Sequence, residues 1–514
     1  MKISYHVYKG LFTLFCSLFL FAADSQITLP AIISVHMVLQ QNAKVSLWGW
    51  AQPGEKISIT TGWNKKTINV NAGADGRWMA YVNTTKAGGP YTIDFKANNT
   101  ITVSDVELGE VWLASGQSNM EFFVGKTKNA SYTGVVNYEQ EITDANYPLI
   151  RQIDIPNKVA DTPQQNFTGV WKVCSPQTVD TFSAVAYFFA RKIHQVTGFP
   201  VGIINSTWGG TPAESWTRKE VLSNDKDLKA ILDRYEENVK NYPKAMEDYR
   251  TALEKWRADT SKNKGAQPRG PIGPNSNISP YKLYNGMIAP ITNYTLKGVI
   301  WYQGESNADR AYQYRHLFPA MINNWREDFR NPVLPFYFVQ ISPHRGQNPE
   351  IREAQLITYR TVPNTGIVVT TDNGDSLNIH PRDKKLVGER LALWALKNQY
   401  GQSNLVSSGP LYKSMKLEGN KIRIQFDEVD GGLMAKNGKE LTEFSIAGSD
   451  QKFVPANAII DGNSVVVWSD AVTSPVAVRF AWRNVPEPNL FNKSGLPASP
   501  FRTDNWKGMT EGKN

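Results

Sequence analysis

The order of hydrophobic and polar positions divides the chain into three stretches of different rhythm. From residue 24 to about 104, short runs rich in β-branched and aromatic residues recur at Val45–Trp50, Lys56–Thr60, Lys66–Val70 and Tyr91–Phe95. Gln52-Pro-Gly54, Ala74-Asp-Gly76 and Gly88-Gly-Pro90 break them with turn chemistry, which predicts a small β-sandwich. From 105 to 402 the runs become apolar throughout: Val106–Ala114, Phe199–Asn205, Leu296–Tyr302, Pro335–Ile341 and Gly366–Thr371. Among them, Thr181–Val196, Tyr312–Phe329 and Asp383–Lys397 carry apolar residues at helical spacing. Apolar strands alternating with amphipathic helices predict an α/β fold, a parallel sheet covered by helices on both faces. From 403 to 514 alternation returns, in Lys421–Phe426, Ser464–Trp468 and Val476–Ala481, and predicts a second β-sandwich. One stretch fits none of these. Residues 217–262 are rich in Glu, Lys and Tyr and predict a solvated helical hairpin, part of an insertion spanning about 217–275.

The extreme N-terminus has a pattern of its own. Lys2 and Lys9 lead into the apolar run Leu11–Phe21, followed by Ala22-Ala23. This predicts a cleavable export signal over residues 1–23, and so a periplasmic or secreted protein. The run is too short to span a membrane, and no other stretch is long and apolar enough. Phe15 before Cys16 argues against a lipoprotein signal. Removal of residues 1–23 takes two lysines with it and lowers the formal net charge from +9 to +7. It also leaves Cys174 as the one thiol, expected to be a buried small hydrophobe. The basic charge is dispersed, with no Lys/Arg cluster interleaved with aromatics, so nucleic acid is not an expected partner. Two Cys and six His in 514 residues, without an H-E-x-x-H or similar spacing, give no basis for a metal site. No cofactor is expected either.

Candidate chemistry lies in short polar clusters at the carboxyl ends of the apolar runs, where an α/β sheet binds its ligands. Ser118, in Gly116-Gln-Ser-Asn119, stands between a strand and a helix start, and needs a base to act as a nucleophile; taken alone it would read as a helix cap. The G-x-S-x-G elbow of α/β-hydrolases is absent. His380 is the candidate base, because it lies in a strand-to-helix loop beside one of the clusters. His194 and His316 fall in helical patterns, His36 lies in the N-terminal β-region, and His344 is an outside candidate. Gly210 offers an unobstructed backbone N–H to an oxyanion, and Gln303 or Asn307 could add a side-chain amide.

Together, Gly116-Gln-Ser-Asn-Met-Glu121, Trp208-Gly-Gly-Thr-Pro212, Trp301-Tyr-Gln-Gly-Glu-Ser-Asn307 and Ile379-His-Pro381 resemble the sialate O-acetylesterase family of SGNH-type serine hydrolases. Met37-Val-Leu-Gln40, Trp48-Gly-Trp50, Ala74–Trp78, Lys86–Thr92 and Ser494–Arg502 extend the resemblance over nearly the whole chain after residue 23. It implies a serine esterase acting on an acetylated sugar. Ser118 would be the nucleophile and His380 the base. The N–H groups of Ser118 and Gly210 would bind the oxyanion with Gln303 as third donor, Asn307 as fallback and Glu305 as an orienting group. The superfamily often places an Asp three residues before the His, but Leu377 stands there. Asp375 is favoured slightly over Asp372 to orient His380, and a Ser-His dyad is the alternative.

Sialic acid is the favoured substrate and acetylated xylan the nearest rival. The acid would call for an Arg in the pocket, with Arg151, Arg310, Arg352 and Arg382 as candidates. A non-catalytic carbohydrate-binding protein is the alternative of another class, with Trp63, Trp216 and Trp468 as possible platforms. A metallohydrolase fares worst.

Overall fold

The structure, a computed structural model, describes residues 26–128, 132–261, 264–438 and 440–513. The expected export signal, residues 1–23, lies outside them. Seven strands form the central sheet in the spatial order Thr365–Val368, Phe336–Val339, Gly298–Tyr302, Thr100–Gly116, Val201–Thr207, Tyr147–Asp154, Trp171–Cys174. All neighbours are parallel except the last pair. Helices Ala184–Thr197 and Lys384–Gln399 pack against each other, as do Ala311–Asp328 and Pro349–Thr361. The α/β architecture expected from the apolar runs is the one observed.

Two elements, a strand and a helix, were hidden in the sequence. Tyr147–Asp154 contains Arg151, Gln152 and Asp154, which interrupt its apolar run. Arg151 can nevertheless be buried because Asp105 and Glu107 take its guanidinium at 2.9 and 3.2 Å. Helix Pro349–Thr361 has Glu350, Arg352, Gln355 and Thr358 among its buried residues, so it shows no apolar stripe. Gly88-Gly-Pro90, expected as a break, instead opens the strand Gly88–Lys96.

The strand Thr100–Gly116 belongs to two sheets at once. Its first half pairs with Gly88–Lys96 and Val38–Gln40 of the N-terminal β-region, its second half with both central neighbours. It therefore runs without a break through the expected boundary at 104/105, and Ile57, Ile59 and Phe95 lie in the same apolar core as Trp112 and Trp301. The strands after residue 410 differ. They form two four-stranded antiparallel sheets and a two-stranded one, Leu433–Ala435 with Leu490–Asn492, around a separate core that includes Ile424, Val465, Val478, Phe480 and Phe501.

The insertion is not a helical hairpin. Its main element is one helix, Lys229–Ala258, with Pro243 inside it. Tyr235, Tyr242, Tyr249 and Trp256 recur every seven residues, which puts them on one face. The Gly- and Pro-rich chain that follows returns along that face. Trp256 Nε1 donates to the Gly265 carbonyl at 2.6 Å and Tyr235 Oη to the Pro274 carbonyl at 2.9 Å. Between them, Gly270 and Gly273 sit against the rings of Tyr249 and Tyr242. A stripe of large aromatics is thus covered by extended backbone rather than by a second helix.

Candidate active site

Ser118 opens the short helix Ser118–Glu121 directly beyond the central strand. Gly116 makes that exit possible. Its φ is +137° and a Cβ there would lie 2.2 Å from the Tyr302 carbonyl oxygen, so no other residue fits. Ser118 is buried and, among the described residues, its hydroxyl makes no hydrogen bond.

The Trp208–Pro212 loop leaves the neighbouring strand beside it. Gly209 N–H donates to Glu121 Oε2 at 2.8 Å, and Tyr132 Oη donates to the same oxygen at 2.6 Å. A Cβ on Gly209 would stand 3.3 Å from the Ser118 Cβ, so the loop packs directly on Ser118. This fixes Gly210, at φ +73°, with open space around its Cα. The N–H groups of Ser118 and Gly210 have no acceptor among the described residues. Burial pushes the Glu121 carboxyl up from its ordinary range. Both Glu121 and Tyr132 escaped the sequence reading; the Glu of the first motif was quoted there but given no role.

Two links bring His380 to this crevice. The Tyr132 and His380 rings meet edge to face, with centroids 5.8 Å apart. Asn119 Nδ2 donates to the Ile379 carbonyl at 3.0 Å and to Glu305 Oε1 at 2.6 Å, while its Oδ1 accepts from Lys384 Nζ at 2.5 Å. Burial, then the Lys384 charge, then His344 lower the His380 pKa to about 4, so the imidazole is neutral at physiological pH. Lys384 is itself lowered to about 7 by burial, and burial raises Glu305. Ser118 and His380 are not hydrogen-bonded to each other here; such contacts often close only around substrate.

Three expected site roles meet a different arrangement. Asp375 is exposed, and its Oδ1 accepts from the N–H groups of Leu377 and Asn378 at 2.8 and 3.1 Å. It shapes the His380 loop and does not reach the ring. Asp372 is held by Arg390 through two bonds of 2.8 and 2.7 Å. Gln303 is fully buried with its amide occupied: Nε2 donates to the Thr211 carbonyl at 3.3 Å and to Asn307 Oδ1 at 2.6 Å, and Oε1 accepts from Tyr314 at 2.9 Å. It holds the Gly210 loop from behind instead of facing the crevice. Asn307, the fallback donor, is also buried and gives its Nδ2 to Glu214 at 2.8 Å. A buried amide surrounded by partners cannot be told from a free one by its position in a motif.

Sequence comparison identifies the family. The profile described as carbohydrate esterase, sialic acid-specific acetylesterase, matches residues 108–263 and 251–397, which include Ser118, Gly210, Gln303 and His380. The chain belongs to this family. Sialate O-acetylesterases of Homo sapiens and Rattus norvegicus are each 30% identical to it, over 91% of this chain and 91% and 93% of theirs. A carbohydrate acetylesterase from Xanthomonas citri, known from its crystal structure, is 36% identical with a TM-score of 0.78, covering 94% of this chain and 100% of that one. The resemblance to sialate O-acetylesterases drawn from four short motifs is therefore confirmed, and the protein is an esterase with an α/β core. No helix among the described residues is long and apolar enough to cross a membrane, and no group of three or more metal-ligating side chains occurs among them.

The remaining candidates sort clearly. Arg151 is buried within the strand Tyr147–Asp154 and paired with Asp105, Arg352 donates to the Arg483 and Asn484 carbonyls, and Arg382 donates to those of Gly134 and Val135 at 2.9 Å. Arg310 lines a cavity. Trp216 is fully buried and cannot serve as a platform. Cys174 is buried and its thiol is pushed up to about 12, as expected of a small apolar filler.

Proposed function

We propose that the enzyme removes O-acetyl groups from sialic acid through an acetyl-enzyme on Ser118. His380 takes the hydroxyl proton as Ser118 Oγ bonds to the acetyl carbon. The oxyanion forms between the N–H groups of Ser118 and Gly210. As the ester C–O bond breaks, the protonated His380 returns the proton to the sugar oxygen. A water, deprotonated by His380, then adds to the acetyl carbon; as the bond to Ser118 Oγ breaks, His380 returns the proton to that oxygen and acetate leaves. The observation that carries this reading is the pair of unengaged N–H groups beside a buried serine whose turn is tied to the His380 loop. Each such donor lowers an acyl-transfer barrier by about 3 kcal/mol. With Asp375 turned to its own loop, a Ser-His dyad is the simpler form.

The names of the mammalian relatives support sialate as the substrate. Acetate release from O-acetyl sialic acid and from acetylated xylo-oligosaccharide, each with wild type and Ser118→Ala, tests both parts. Release at least tenfold faster from the sialate and lost in Ser118→Ala is expected. Equal rates in the variant would overturn the mechanism, and preference for the xylo-oligosaccharide would overturn the substrate. Export is part of the same proposal, supported by the Leu11–Phe21 run, and N-terminal sequencing of the mature protein checks it.

A further inference from the structure

The Gly210 loop has a second face. Two residues beyond Gly210, and so within about 7 Å of it along the chain, Pro212 lines a cavity of about 180 Å³ between the α/β core and the inserted helix. Asn277 binds the loop from the same side, its Nδ2 donating to the Gly209 carbonyl at 3.4 Å, and Ile278 continues into the cavity wall. Two guanidinium groups line it, Arg310 from the end of the third sequence motif and Arg234 from the inserted helix.

These cations are poorly compensated. One carboxylate oxygen, Glu214 Oε1, serves both, at 3.2 Å from Arg310 and 3.6 Å from Arg234. The other Glu214 oxygen accepts from Asn307. Asp309 meets Arg310 at 2.9 Å but is largely exposed, where screening weakens it. Arg234 Nη1 and Arg310 Nε are buried without an acceptor among the described residues, and a buried unpaired donor on a charged group is costly. Burial and the Arg310 charge both hold Arg234 below the ordinary guanidinium range. The space exceeds the ~30 Å³ of one water but falls short of the ~300 Å³ that takes a whole ligand. It suits one end of a sugar.

We propose that this cavity receives a carboxylate of the acetylated sugar, with Arg234 and Arg310 as the residues that bind it. Planar guanidinium forks match a carboxylate's two oxygens. The inference rests on the esterase reading above and gives the insertion a purpose: without its helix there is no Arg234. A sialate and a uronic acid would present the same group.

The test uses the full chain and an aryl acetate as reporter substrate. N-acetylneuraminate, its methyl ester, glucuronate and xylose are added as competitors. The free acid should compete at least tenfold better than its ester. Arg234→Met and Arg310→Met should abolish that difference, Arg234→Lys should keep part of it, and Arg250→Met, on the exposed face of the same helix, should leave it intact. Glucuronate competing as well as N-acetylneuraminate would also support the carboxylate site and point to a uronic acid. Equal competition by acid and ester in the wild type, or discrimination that survives in folded Arg234→Met, overturns the proposal. If the aryl acetate is not hydrolysed at all, the esterase mechanism has failed, and calorimetry with the acid and its ester still decides whether the cavity binds a carboxylate.

Discussion

The side-chain amide of Asn119 donates to the carbonyl oxygen of Ile379 at 3.0 Å. One bond thus joins the residue after Ser118, the proposed nucleophile, to the residue before His380, the proposed base, across 260 positions of sequence. The same amide reaches Glu305 and its oxygen meets Lys384, so three strand-end loops share one side chain. Asn119→Ala should lower kcat about 10²-fold, as expected when a catalytic group shifts by an ångström, with little change in KM. Steady-state kinetics beside a thermal melt will separate this from unfolding.

The low His380 pKa sets the pH profile. The base form persists down to about pH 4, so the acid limb of kcat/KM should fall near 4 rather than near the ordinary histidine value of 6.5. Lys384→Met removes one cause of the depression and should move that limb towards neutral pH. Linkage has a definite sign here. The unfolded chain protonates this histidine below about 6.5, while the folded one does so only near 4. The folded state therefore loses stability from this group as pH falls through that window. An acid limb near 6.5 in the wild type would contradict the structure.

Asp375 provides a sharp contrast with a true orienting carboxylate. Loss of such a carboxylate can cost about 10⁴-fold in kcat in serine hydrolases. Asp375→Asn keeps an oxygen for the Leu377 and Asn378 N–H groups and should change kcat by less than about threefold.

Gln303→Leu should act mainly on stability. It removes the side-chain acceptor of the Tyr314 hydroxyl and the donor to the Thr211 carbonyl, both in a buried site, while the Asn307 oxygen keeps the Ala213 N–H. Unsatisfied buried groups cost about 1–3 kcal/mol each, so a clear drop in denaturation midpoint is expected. A large kcat loss with unchanged stability would restore Gln303 as an oxyanion donor.

Cys174 should resist thiol reagents at pH 8 in the folded protein and react after denaturation. Burial both covers the sulfur and raises its pKa to about 12, and the thiolate is the reactive form. Thiol titration with and without guanidinium chloride checks it.

The division between what was legible and what was not follows the range of the forces involved. The strands Val201–Thr207 and Gly298–Tyr302 and the helix Ala311–Asp328 declare themselves locally, because burying a strand on both faces or a helix on one imposes a period on nearby residues. Turn chemistry around Gly116 and Gly210 is local as well, and so Ser118, Gly210 and His380 could be chosen from the sequence. Partnerships are not local. Tyr147–Asp154 and Pro349–Thr361 carry polar residues inward, which is tolerable only because Asp105, Glu107 and Thr510 arrive from elsewhere in the chain. For the same reason only the tertiary structure could show Asp375 turned to its own loop, Gln303 occupied from behind, and Arg234 brought against Arg310. The sequence determined which residues could do the chemistry; the fold decided which of them are free to do it, since a hydrogen bond or charge is committed by whatever lies within a few ångströms in space.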